Sequence, residues 1–308
     1  MKTSIKIATG ILGLVLITPA VVLGQAKPLR VGAYLPGYRM ADFKPEDAKG
    51  VTDLILFSAV PSADGTIDLS SLAHAPLPKL KEWKTQENGR LILALGGWGH
   101  SEGFAPLAAS EKSRQKFAED VLETCRELDL DGIDIDWEHP KNDIEAANYL
   151  IMLLDLQKAL KPKKLTMSIT VAGWQPINIQ THKSVDYIQL MAYDHDGKHS
   201  TYDSVTDEVD KLIKNGVPKE KIILGLPFYG RGITDRKKTL LYSEIIAKHH
   251  LKPDVDEIDG VYFNGPATIR RKTQFAKEKG LAGVMIWEIG QDARGEDSLL
   301  REVVDEIK

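Results

Sequence analysis

The sequence predicts a closed (β/α)8 TIM barrel in a single domain, on three observations. Eight short, β-rich apolar runs recur along residues 27–308, helical periodicity fills most of the intervals between them, and polar or aromatic residues gather just past the C-terminal end of one run after another. Alternating strand and helix argues for a parallel sheet, and eight such units argue for its closure. The 308 residues hold the roughly 250 that such a barrel takes. No Pro-, Gly- or Ser-rich linker divides the chain, so 27–308 reads as one barrel domain.

The chain begins differently. Lys2 and Lys6 precede an apolar run from Ile7 to Leu23, broken at Thr18-Pro19 and followed by Gly24-Gln25-Ala26. The run is interrupted and short for a spanning helix, so residues 1–26 read as a secretory signal peptide cleaved after Gly24 or Ala26. The expectation is a secreted or periplasmic protein with no stable membrane anchor. Position 25 is Gln, where a lipid-anchored form would need cysteine. The one cysteine, Cys125, leaves no internal disulfide and falls on the apolar helical stripe Phe117, Val121, Leu122, Cys125, Leu128, which makes it a packing residue. A net charge of -4 from mixed charges offers no basic face for nucleic acid.

Taken in order, the strands are expected at Leu29–Tyr34, Asp53–Ala59, Arg90–Leu95, Gly132–Trp137, Leu165–Val171, Tyr187–Tyr193, Lys221–Phe228 and Gly283–Trp287. Helical patterns are clearest at Glu111–Leu128, Asp143–Leu160, Val205–Asn215 and Pro266–Lys279, where Pro266 suits a first helical turn. Working residues of such barrels lie at the C-terminal ends of strands. There the chain places Gly96-Gly97-Trp98, an acidic row ending at Glu138, Met191-Ala192-Tyr193-Asp194, Phe228-Tyr229-Gly230-Arg231 and Trp287-Glu288. Trp98 and Trp287 are candidates for stacking on the apolar face of a ligand, with core packing as the alternative; Trp137 has the parity to pack beneath the helices.

The acidic row is the sharpest feature. In Asp131-Gly132-Ile133-Asp134-Ile135-Asp136-Trp137-Glu138, carboxylates at 134, 136 and 138 alternate with bulky apolar residues, so on a strand three acids share one face. Like charges so close raise at least one pKa, which suits Glu138 to general-acid work near neutral pH. The competing reading is a calcium loop, Glu127-x-Asp129-x-Asp131-Gly132-x5-Glu138. Its first position is Glu and its apolar position carries Asp134, and the two-residue period demands a strand where the loop would coil.

Asp131-x-x-Asp134-x-Asp136-x-Glu138, with its Trp137, resembles the signature of the glycoside hydrolase family 18 chitinases. The resemblance implies retaining, substrate-assisted hydrolysis of β-1,4 bonds in N-acetylglucosamine polymers, without an enzyme nucleophile. It makes Glu138 the acid and then the base, has Asp136 orient the acetamide N–H, and has Asp134 share a proton with Asp136. Tyr193 and Asp194 match a Met-x-Tyr-Asp motif that holds the acetamide oxygen and places the substrate. Met191, Gly97, Tyr229, Arg231 and Trp287 fall on substrate-binding positions, Trp287 at the floor of the cleaving subsite.

The chain also departs from the pattern. Ala94 and Ala33 stand where many members carry hydroxyl-bearing residues, which would lie near the Asp pair in the family, and His139 replaces a common Tyr beside the leaving group. Between Arg231 and Gly283 there is room for loops and about two helices, not for a separate α+β insertion domain, so an open cleft and endo action are expected. His195-x3-His199 has a helical metal-ligand spacing but lies in a polar loop, so no metal or cofactor is expected. The expected partner is a glycan containing N-acetylglucosamine: chitin or a chitooligosaccharide, or alternatively an N-glycan cut by an endo-β-N-acetylglucosaminidase. A non-hydrolytic chitin-binding lectin ranks behind because Glu138 is present. The protein is expected to act as a monomer.

Overall fold

The computed structural model describes residues 28–308, so the expected signal peptide and its cleavage site lie outside the described residues. Eight parallel strands close into a barrel: β1 (Arg30–Pro36), β2 (Asp53–Pro61), β3 (Arg90–Gly96), β4 (Gly132–Asp136), β5 (Thr166–Ala172), β6 (Tyr187–Met191), β7 (Ile222–Pro227) and β8 (Gly283–Trp287). Each pairs with its sequence neighbour, and β1 pairs with both β2 and β8, which closes the ring. Alternation divides the side chains into two cores. Val31, Leu54, Ile133 and Ile135 face the helices, while Tyr34, Ile55, Ile92 and Met285 fill the barrel interior.

The helices start and stop where local chemistry directs. Ser110 accepts a hydrogen bond from the Ser113 amide to cap Glu111–Glu127, and Asn142 does the same through the Glu145 amide for Asp143–Leu160. Pro266 opens Pro266–Lys279 and Gly280, at φ 74°, closes it in the left-handed conformation that glycine favours. Trp137 is buried against Phe104, with ring centroids 5.4 Å apart, and Tyr149 at 5.2 Å, on the helix side of β4 as its parity requires. No helix among the described residues is long and apolar enough to cross a membrane.

At the N-terminal end of the barrel, charges answer one another. Asp53 accepts hydrogen bonds from Arg30 Nε (2.7 Å) and Nη2 (2.6 Å) and from Arg90 Nε (2.6 Å). Both guanidiniums also lie over the Tyr187 ring, at 5.3 and 5.9 Å from its centroid. Near the mouth, the chain between Arg231 and Gly283 forms, besides the helices Tyr242–Lys248 and Pro266–Lys279, part of a small antiparallel sheet. Its strands run in the order Thr239–Leu241, Tyr229–Gly232, Val261–Tyr262, Glu257–Ile258. This sheet was not expected from the sequence, because strands of two to four residues leave no readable period.

Candidate active site

Strand β4 fixes the acids. Its register sets Asp134 beside Ala94 of β3 and Ser168 of β5, and Asp136 beside Gly96, with both carboxyls directed into the barrel. A strand hydrogen-bonded on both sides removes the calcium-loop reading. Asp134 is fully buried and accepts three hydroxyl hydrogen bonds, from Tyr34 Oη (2.8 Å), Ser168 Oγ (2.6 Å) and Thr170 Oγ1 (2.8 Å). No hydrogen bond joins it to Asp136. That carboxyl lies one layer nearer the mouth, where its buried Oδ1 has no partner. Burial, then the charges of Glu138 and Asp134, hold the Asp136 proton well above the usual carboxylate range.

Glu138 sits just beyond the strand. Its amide donates to Ser101 Oγ at 3.0 Å, and the Gly97 amide donates to Asp136 O at 2.6 Å, so the loops after β3 and β4 are tied together beneath it. Gly97 holds φ 98°, and a side chain there would collide with the Phe57 ring. Burial, then the Asp194 charge, push the Glu138 carboxyl up to about 7 against the pull of the Trp98 backbone. Part of the population therefore keeps this proton at neutral pH.

Around these acids lies a cavity of about 860 Å³, the size of a small-ligand pocket. Trp98, Met191, Tyr193, Asp194, Arg231 and Trp287 all line it with Asp136 and Glu138. Trp98 is 82% exposed, which core packing does not explain. Trp287 is instead partly packed, 5.3 Å from Tyr34 and 4.8 Å from Phe57 between ring centroids. Burial, then the neighbouring Tyr229 and the charge of Asp194, raise the Tyr193 phenol well above its ordinary range, so it stays a donor. Asp194 is different: burial acts against its charge, but His199 at 3.7 Å, the hydrogen bond from Tyr229 and the Arg231 guanidinium at 2.7 Å keep it ionised below the usual range.

Two expected positions do not line the cavity: Tyr229 stands behind its wall, bonded to Asp194, and Gly97 meets Asp136 through its backbone amide. Further in, Lys272 donates to Ser200 O, Ser200 Oγ and Asn264 Oδ1, and Ser200 Oγ donates to Ala192 O, which pins the segment carrying Tyr193 and Asp194.

The sequence profile of the Glycosyl hydrolases family 18 matches residues 30–292, a span that takes in all eight barrel strands and the whole acidic row. The chain belongs to this family. Endochitinase 1 of Metarhizium robertsii is 30% identical over 276 aligned residues, 70% of this chain and 65% of that protein. Chitinase 1 of Aphanocladium album is 29% identical, over 78% of this chain and 70% of its own length. The chain thus spans about two thirds of the length of these fungal relatives. Among solved structures, a chitinase from the chitin utilization locus of Flavobacterium johnsoniae superposes with a TM-score of 0.81 at 26% identity, over 91% of this chain and 94% of that one. A chitinase from Bacteroides thetaiotaomicron gives 0.81 at 27% identity, over 91% and 96%.

Within the family 18 barrel, one expectation needs correcting. Ala33 does not lie near the Asp pair: it packs in the outer core, and the inward residue of β1 is Tyr34, whose phenol reaches Asp134. Ala94 does face inward, and Asp134 takes its other hydroxyls from β5. Tyr34, Ser168 and Thr170 were missed by sequence reasoning, although strand alternation carried the signal: all three share the inward parity of their strands. Also missed were Trp174, Arg236 and the pair His195–Glu208 (3.0 Å), all on the cavity wall. His195 is thus engaged by a carboxylate, and among the described residues no cluster of three His, Cys, Asp or Glu side chains is placed to hold a metal. His139 contacts Gln175 at 3.1 Å through Nδ1 and lies 3.8 Å from Glu138.

Proposed function

We propose that the protein is a secreted, endo-acting glycosidase that cleaves β-1,4 linkages next to N-acetylglucosamine, with chitin or its oligomers as substrate. The observation that carries this reading is Glu138, a carboxyl held up to about 7 at the mouth of a cavity walled by tryptophans and a protonated phenol. Names among the relatives, endochitinase and chitinase, point the same way.

In the proposed reaction the Glu138 proton passes to the glycosidic oxygen as its bond to the anomeric carbon breaks. The substrate's acetamide oxygen bonds to that carbon, giving an oxazolinium ion. Tyr193 donates to the acetamide oxygen, and the unpartnered Asp136 Oδ1 receives the acetamide N–H. Asp134 is occupied by three hydroxyls and Asp194 by Arg231 and Tyr229, so neither is free to act as the nucleophile. Water then attacks, its proton passing to the Glu138 carboxylate, and configuration is retained.

Secretion rests on the pattern of residues 1–26. Internal cleavage is favoured because the chain between Arg231 and Gly283 adds short strands and two helices where a larger domain would wall the cleft. The test compares acetylated with fully deacetylated polymer and follows product sizes over time. Cleavage confined to acetylated substrate, with a spread of early products, is expected. Efficient cutting of the deacetylated polymer would mean another mechanism, disaccharide alone from the earliest times would end the endo assignment, and release of N-glycans with chitin untouched would move the substrate.

A further inference from the structure

Trp174 is 64% exposed and belongs to no part of the acidic signature, yet it stands on the cavity wall beside the acid. It occupies a tight turn at the end of β5, closed by the Gln175 amide donating to Ala172 O at 2.9 Å. The turn is fastened from below. A side chain at Gly173 would collide with the Glu208 carboxyl at 2.1 Å, and Lys211 Nζ donates to Gly173 O at 3.4 Å. From the side, His139 packs on the indole at 4.8 Å between centroids and 70° between planes, and is itself held by Gln175. An indole this exposed on a turn this constrained is a preorganised platform, because little freedom remains to be lost when a ligand stacks on it.

Position decides which part of a ligand it meets. His139 Nε2 lies 3.8 Å from the Glu138 carboxyl and packs on Trp174, so a sugar bonded to the oxygen that takes the Glu138 proton comes within reach of the indole. Resting on the glycosidase reading above, we propose that Trp174, braced by His139 and Gln175, is the stacking wall for the sugar ring on the leaving-group side of the cleaved bond. Its ligand is a pyranose presenting an apolar ring face, here an N-acetylglucosamine residue.

The experiment uses two substrates: the tetrasaccharide of N-acetylglucosamine, which needs a leaving-group subsite, and the N-acetylglucosamine disaccharide bearing fluoride as leaving group, which does not. For Trp174→Ala the ratio of kcat/KM on the tetrasaccharide to that on the fluoride should fall about tenfold, mostly through KM. Trp174→Phe should keep most of the ratio, and Gln175→Ala should lower it by about threefold by freeing the brace. Calorimetric titration of the tetrasaccharide into Glu138→Gln, with and without Trp174→Ala, should show about a tenfold loss of affinity. An unchanged ratio, or an equal fall on both substrates, overturns the proposal. If the wild-type protein hydrolyses neither substrate, the glycosidase reading fails by itself, and the titration still decides the subsite: unchanged affinity overturns it.

Discussion

The two ends of the barrel handle charge in opposite ways. At the N-terminal end one carboxylate, Asp53, lies between two guanidiniums that also cover an aromatic ring. Toward the C-terminal end Asp134 and Asp136 follow one another along β4, and Glu138 comes just beyond it. Hydroxyls are the support of the first, the second keeps an unpartnered oxygen, and the third sits up to about 7. The guanidiniums near this mouth are held by other carboxylates, Arg231 by Asp194 and Arg236 by Asp196. The first arrangement favours the folded state; the second opposes it, and in the reaction proposed above what it supplies is a proton near neutral pH.

The comparison can be broken hardest at Glu138. Glu138→Gln should lower kcat by on the order of 10³-fold while circular dichroism and sugar affinity stay as they are; a loss of less than tenfold would remove the acid assignment. At the other end, Asp53→Ala should cost about 2 kcal/mol of stability, allowing for the partial exposure of both guanidiniums, with kcat per folded molecule unchanged. Denaturant titration checks the first half and active-fraction kinetics the second.

Proton linkage sharpens the contrast. Because the folded state holds the Glu138 proton to about 7 from a usual 4.5, the folded chain binds more protons than the unfolded chain between those values, and stability falls as pH rises through that window. Asp136 shifts in the same direction and adds to the fall. Replacing Glu138 by Gln should therefore flatten the decline, by about 2 kcal/mol between pH 5 and pH 8. The same ionisation should make wild-type kcat/KM drop about tenfold per pH unit above about 7. The smallest effect is expected for Tyr34→Phe, which leaves Asp134 two of its three hydroxyls and should cost about 1 kcal/mol in thermal unfolding.

Much of the barrel was legible because strands and helices announce themselves by period. Asp143–Leu160 and Pro266–Lys279 begin and end where apolar spacing and first-turn chemistry place them, and each of the eight strands is found within a few residues of its expected bounds. The parity argument placed Trp137 outside and the two aspartates inside. Features that depend on distant partners were silent. Arg30, Asp53 and Arg90 are 23 and 37 residues apart, and nothing local marks them as a cluster. Trp174 reads as one more aromatic beside a glycine until the turn, His139 and Glu208 are seen around it. Ala33 misled because a residue-by-residue match to a family pattern ignores which way each side of the strand faces.

The three hydroxyls on Asp134 bear on how related chains should be sought. This carboxylate is supported from its own strand's neighbour, β5, and from β1 across the barrel, whereas β3, next to it on the other side, contributes only alanine at that level. The requirement is for oxygen donors around one point inside a ring, and a ring offers several strands from which to send them. A search template that insists on a hydroxyl at the Ala94 position of β3 would discard this protein, whereas one that fixes the acidic strand and lets the supporting hydroxyls move around the circumference would keep it.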